Sequence, residues 1–579
     1  MAENKALTNL EALSEGFRQR YLDYAALSRQ LQSWARNYPD LAQLESLGQT
    51  PEGRELWLLT LGPDPANRRP AVWVDGNLHA IELAGSSVAL AIAEDVLRLH
   101  LAPEEALHDL PRAVRESISN VHFHIMPRIS PDGAEAVLVG GRYVRSVPRL
   151  GEPRSAAHWR TADVDGDGRA LTMRQEDPSG DFVESTAAPG LMLPRELGDE
   201  GPFYRIYPEG FIEGFDGQHI PVPELLSDNA PDLNRNFPHA WAPEHQQSGA
   251  GPYPASEPES RAVVGFAVRH PNLFAWLNLH TFGGVFIRPL SDATDDKMDQ
   301  SDLLLFHQVA AWAEELTGYP TVNGYQEFTY EPGKPLRGDL TDFAYHHRGC
   351  LAVVCELWDL FARLGIERKV PFIDHYTHLT REQLIELAHW DARHNASRAL
   401  QPWTRASHPQ LGAVEVGGLD PRVGIANPPY EMLPEICSAL SALWLRVAAL
   451  APRLSIERLE ARSLGGDVYR VHLTIANHGY LPTYILASAR GLPWNEPLYA
   501  ELATSGCTLL EEHERRQPVG HLGGWGRGLF GSATVVPYPR SQGEAPRGSL
   551  TWTLRGPGDA TVQLGSCRTG WLSAQVKVG

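Results

Sequence analysis

Four near-continuous apolar runs of strand length constrain this chain most: AVWVD (71–75), VHFHIMP (121–127), LFAWLNL (273–279) and LAVVC (351–355). A strand apolar at nearly every position has no face to give to water, so it belongs in a sheet covered on both sides. Helix-like segments fall between the runs, SSVALAIAEDVLRLH at 86–100 among them, and residues 17–37 carry apolar side chains at helical spacing up to the break YPD. LESLGQTPEGRELWLLTLG alternates around Pro51-Glu52-Gly53 as a hairpin does. The expected fold is α/β, with a mixed, mostly buried sheet and helices on both faces.

That rhythm is interrupted twice. Residues of about 150–230 are rich in Gly, Pro, Asp and Glu with little periodicity, and read as a long insertion with local structure only. From 453 onward the pattern is strand and turn throughout (VYRVHLTIAN, GSLTWTLRG, DATVQLGS, WLSAQVKV), as in a small β-sandwich. The expected division is a catalytic domain at 1–400, a linker with a strand and a helix (431–450) at 401–452, and a β-sandwich at 453–579.

The 51 basic and 71 acidic side chains leave a formal charge of -20, which argues against nucleic acid as partner. No stretch approaches the roughly 20 apolar residues needed to span a bilayer, so no membrane is expected. The first residues, MAENKALTNLEALSEGF, are acidic and lack an apolar core, which reads as a cytoplasmic chain. The five cysteines have no metal-ligand spacing and are expected to be buried thiols.

Chemistry concentrates where the apolar runs end. In DGNLHAIELAG, His79 and Glu82 stand three apart just beyond AVWVD, so both can turn toward one point at the carboxyl edge of the sheet. A catalytic zinc takes three protein ligands and keeps one position open. His280, closing LFAWLNLH, lies in the same layer and is the third candidate. Glu356 follows LAVVC directly, and a carboxylate there is costly unless paired or used. Beside a metal it would act as general base and then acid.

These motifs, in this order, resemble the carboxypeptidase A-like zinc metallocarboxypeptidases over roughly residues 20–395, in a bacterial-type form with a long insertion and a C-terminal β domain. The resemblance implies one zinc per chain on His79, Glu82 and His280, and Glu356 as the general base. SPDGAE (130–135) resembles the family's N-P-D-G turn, which makes Arg145 the oxyanion-stabilising arginine and Arg142 the neighbouring basic position. DLNRNFP (232–238) resembles the family's N-R pair, implying that Asn234 and Arg235 grip a substrate's terminal carboxylate. The family's capping tyrosine has no counterpart by simple count, which falls on Lys334; Tyr330 is the candidate, with Tyr325 behind it. The same count puts Asp339, Thr341 and Asp342 in or beside the pocket for the terminal side chain.

The implied reaction is hydrolysis of a C-terminal peptide or isopeptide bond in a substrate with a free carboxylate. Two alternatives share these residues: a zinc amidohydrolase acting on small N-acyl amino acids, and a non-catalytic peptide-binding relative. Within the insertion, DVDGDGRALTMRQED (163–177) offers Asp163, Asp165 and Asp167 as calcium ligands, although Arg174 at the twelfth position rules out an EF-hand as such.

Overall fold

The computed structural model describes residues 2–148, 156–223, 231–331, 333–529, 541 and 543–579. Eight strands form the main sheet: β1 (Ala42–Gln49), β2 (Glu55–Leu61), β3 (Ala71–Gly76), β4 (His122–Met126), β5 (Leu273–Thr281), β6 (Val285–Arg288), β7 (Thr321–Asn323) and β8 (Leu351–Leu357). Their order is β1-β2-β4-β3-β5-β8-β6-β7, and the central β4-β3-β5-β8 block is parallel. All four apolar runs lie in that block, where both faces are covered.

Side-chain alternation sorts the two cores. Val72, Val74, Leu277 and Val353 face one way, against α1 (Ala84–Leu101), α3 (Gln300–Thr317) and α4 (Leu433–Ala448). Trp73, Trp276 and Ala352 face the other way, against α2 (Pro258–Arg269). The β1–β2 hairpin forms as its alternation predicts, whereas the helical spacing of 17–37 yields a helix only over Tyr24–Asn37, beginning at the Asp23 N-cap. The cysteines are all free thiols, and four of them are buried.

Two sequence expectations are corrected. The described residues within 150–230 do more than fold locally. Thr172–Glu176, Phe182–Glu184, Met192–Pro194 and Phe203–Pro208 join Leu400–His408 and Gly412–Leu419 in a six-stranded sheet. Arg174 sits at its centre, paired with Glu184 and Glu415 and stacked against Tyr204 and Trp403. Nor is 401–452 a linker: its strands complete that sheet, and α4 packs on α1 and α3 in the main core. These strands are three to nine residues long, and the pairing of Gly412–Leu419 with Thr172–Glu176 spans more than 200 positions of chain, so periodicity within a local window gives no sign of the sheet.

Beyond residue 453, two four-stranded antiparallel sheets form the expected β-sandwich. Val471, Leu473, Ile475, Trp552 and Leu554 from one sheet meet Ala500, Leu502, Val562 and Leu564 from the other. Among the described residues no helix is long and apolar enough to cross a membrane.

Candidate metal centre

β3 ends at Gly76 because the chain must pass α1 closely there: a Cβ on Gly76 would lie 2.5 Å from the Gly85 backbone carbon. Asn77 then takes a left-handed conformation (φ 57°), and its Nδ2 donates to the carbonyls of His79 and Ala80. This turn aims His79 and Glu82 at the end of β5. His79 Nδ1 lies 2.7 Å from Glu82 Oε1, and His280 Nδ1 lies 2.9 Å from Glu82 Oε2. The two Nδ1 atoms are 3.1 Å apart. All three residues are buried, at 3%, 3% and 1% exposure for His79, Glu82 and His280.

The outer ring nitrogens are already engaged: His79 Nε2 meets Asp232 Oδ1 at 3.2 Å, and His280 Nε2 meets Asn278 Oδ1 at 2.6 Å. Each acceptor calls for a proton on Nε2, which leaves the Nδ1 lone pairs facing each other and a carboxylate. Such an electron-rich knot is unfavourable in a buried site unless a cation occupies its centre. The donor set of two imidazoles and one carboxylate is the kind that holds a catalytic zinc. The charges follow the same logic. Burial opposes ionisation of Glu82, but His79 and His280 outweigh it and hold the carboxyl well below its usual range. Burial likewise opposes ionisation of Asp232, which Arg145 and then His79 keep far below the usual value.

Asp232 was not singled out from the sequence, and it joins the two halves of the site. Its Oδ2 accepts from Arg145 Nε at 3.1 Å and its Oδ1 from the Asn234 backbone N–H at 2.8 Å. Its only signal was its place two residues before Asn234 in DLNRN. Arg145 also reaches within 3.6 Å of Glu82 Oε1. Glu356 is in register with His280 across the parallel β5–β8 pair, so both side chains leave the same face. Burial, and then the charge of Glu82, push its carboxyl well above the ordinary range, with Arg145 opposing.

Asn234 Oδ1 accepts the Leu340 backbone N–H, and buried Arg235 lies near enough to Asp339 to act on its charge. Asp339 Oδ2 and Thr341 Oγ1 are buried without hydrogen-bond partners among the described residues. Tyr330 is 60% exposed and stands within electrostatic reach of Arg145. Tyr376, also not anticipated, is near Tyr330 and Glu356, with its hydroxyl donated to the Phe282 carbonyl. Arg142 has no contact with the metal group among the described residues.

Of the three aspartates in the insertion, Asp163 and Asp165 gather with Glu209, their ligand oxygens within 4.8 Å of one another. Asp167 is outside that group and caps the Arg169 N–H instead. A further group, His239, Asp342 and His346, also falls within 4.8 Å. Its imidazoles stack face to face at 3.9 Å with an interplanar angle of 10°, so their in-plane lone pairs run parallel and do not converge.

Comparison with known proteins agrees with this geometry. Residues 27–161 and 226–364 match the zinc carboxypeptidase family, and residues 453–577 match a domain of unknown function. Carboxypeptidase B of Astacus astacus is 38% identical over 114 residues, which is 20% of this chain and 33% of that protein. Carboxypeptidase M of Mus musculus is 31% identical over 121 residues, 20% of this chain and 26% of that one. The chain thus spans about a third or less of the length of these curated relatives. Among solved structures, carboxypeptidase A from Helicoverpa armigera is 18% identical, with a TM-score of 0.39 over 62% of this chain and 70% of that one. A metallo-carboxypeptidase from Burkholderia cenocepacia is 13% identical, with a TM-score of 0.33 over 73% and 69%.

Proposed function

We propose, from the match of residues 27–161 and 226–364 to the zinc carboxypeptidase family, that the chain hydrolyses the C-terminal peptide or isopeptide bond of substrates with a free terminal carboxylate. The observation that carries this reading is the convergence of two imidazole Nδ1 atoms on Glu82, with Glu356 in register beside them.

His79, Glu82 and His280 would hold one zinc ion, which supplies Lewis-acid polarisation and acidifies water. Glu356 takes a proton from the attacking water and returns it to the leaving amine. Its raised pKa makes it a better proton acceptor than an ordinary carboxylate. Arg145, held by Asp232, stabilises the charge that develops on the scissile carbonyl oxygen. Asn234 and Arg235 bind the terminal carboxylate, with Tyr330 closing over the substrate. The buried Asp339 carboxyl beside Arg235, whose Oδ2 has no hydrogen-bond partner among the described residues, favours a terminal side chain that brings N–H donors, namely Lys or Arg.

The test is a C-terminal peptide library offered to the zinc-loaded protein with free and with amidated ends. Cleavage of free-ended peptides, with a preference for terminal Lys or Arg, is expected, and amidation should abolish it. Turnover of N-acyl amino acids with no peptide cleaved would overturn the peptidase reading in favour of a small-molecule amidohydrolase.

A further inference from the structure

Beneath the metal group runs a chain of hydrogen bonds whose donor and acceptor roles follow from one ionised carboxylate. Asp75 is fully buried on β3, and Asn278 is its register neighbour on β5. Asp75 Oδ2 accepts from Trp73 Nε1 at 2.7 Å and from Trp276 Nε1 at 2.8 Å, and its Oδ1 accepts from Asn278 Nδ2 at 2.5 Å. The same amide turns its Oδ1 to His280 Nε2. Burial pushes the Asp75 carboxyl up to about 7; above that pH it is a carboxylate, which only accepts, while an indole N–H only donates, so Asn278 gives its NH2 to Asp75 and its oxygen to His280. That oxygen requires a proton on Nε2. A neutral imidazole carries one N–H, so Nδ1 keeps its lone pair, and Nδ1 is the atom that faces Glu82 and His79.

We propose that Asp75 and Asn278 are positioning residues that set the tautomer of His280, so that its Nδ1 is ready for a metal before any ion arrives. The identity of the ion rests on the zinc carboxypeptidase reading. The tautomer does not, because it belongs to the metal-free chain. Asp75 therefore acts on the metal through two intervening groups, and the stacked indoles of Trp73 and Trp276, 4.8 Å apart, fix its position from below.

Isosteric changes separate this role from simple packing. In Asp75→Asn the new amide keeps an oxygen for the indoles and turns its NH2 toward Asn278. Two facing NH2 groups repel, so Asn278 flips and offers its own NH2 to His280, which must then accept on Nε2 and carry its proton on Nδ1. Combining Asp75→Asn with Asn278→Asp restores the original sense: the amide donates to the new carboxylate, and that carboxylate accepts from His280 Nε2.

The experiment uses the full chain, labelled with 15N-histidine and stripped of metal. Long-range 1H–15N correlation reads the His280 tautomer, with the resonance assigned by its loss in His280→Gln, and zinc affinity is measured by competition with a chelator. Wild type should be protonated on Nε2. Asp75→Asn should move the proton to Nδ1 and weaken zinc binding roughly 10- to 100-fold, and the double variant should recover both. If Asp75→Asn does not fold, Asn278→Ala serves instead and should leave His280 as a mixture of tautomers. Wild-type His280 protonated on Nδ1 overturns the proposal. So does a folded Asp75→Asn with unchanged tautomer and zinc affinity, or a folded double variant that recovers neither. A chain that lacks peptidase activity yet shows this tautomer pattern would sink the functional reading and leave the positioning role standing.

Discussion

His79 and His280 meet through the same ring nitrogen, and that meeting decides what the site can do. Each imidazole gives its Nε2 to an outer acceptor, Asp232 or Asn278, and both direct Nδ1 at Glu82. Glu356, in register with His280, is the proposed proton acceptor. Glu356→Gln should therefore lower kcat by ~10²- to 10⁴-fold while leaving zinc content unchanged, since Glu356 is outside the ligand set. Steady-state kinetics on the best library peptide, with metal analysis of the same sample, checks both halves. At this scale the sequence was legible where chemistry is local: His79 and Glu82 share one turn, and His280 and Glu356 each end an apolar run. Asp232, Asp75 and Asn278 were not legible as parts of the site, because an aspartate or asparagine in a loop or strand shows nothing until the fold brings its partners to it. Tyr376 was hidden for the same reason, at 96 residues beyond His280 in the chain.

At the scale of elements, the insertion is a built structure that its composition concealed. Glu209 receives the backbone N–H groups of Val164 and Leu171, which pins the 163–171 loop to the strand Phe203–Pro208 that ends just before it. Burial nonetheless pushes its carboxyl up to about 7 from an ordinary 4.5. Because the folded-state value is raised, folding favours the neutral form. The stability this confers is fully present below the ordinary carboxylate value and is lost as pH rises through about 7. Thermal unfolding followed across that window should show stability falling, and Glu209→Gln should flatten the slope; an unchanged slope in the variant would contradict this account. The main sheet was legible because near-continuous apolar runs announce buried parallel strands. The second sheet was not, because its centre is the charged Arg174, held by Glu184 and Glu415, in strands too short to show a period.

At the scale of the whole molecule, the β-sandwich is fastened to the rest at several places: Leu481, Ile485, Leu486 and Ala489 enter the main core, buried Asp302 accepts from Ala487 and Ser488, and one buried arginine with no carboxylate partner among the described residues reaches the main sheet. Arg568 is 1% exposed and donates to the carbonyls of Pro271, Leu273, Arg348 and Gly349, at the starts of the strands that carry His280 and Glu356. Arg568→Ala strands those acceptors in a buried place. It should destabilise the chain by at least ~3 kcal/mol, measured by chemical denaturation. A loss confined to the sandwich, with the main sheet unfolding at its wild-type midpoint, would contradict this coupling. The sandwich was legible from its alternating strands and turns, but its attachment was not. One arginine among 51 basic residues carries no mark of crossing between sheets.

The central claim is that His79, Glu82 and His280 together hold one zinc ion, and the most direct measurement is the metal content of the purified chain and of its His280→Ala variant after dialysis against trace zinc. One zinc per wild-type chain and none per folded variant chain is expected, with peptide cleavage lost alongside the metal. A wild-type chain that takes up no zinc, or a His280→Ala variant that retains a full equivalent, would contradict it.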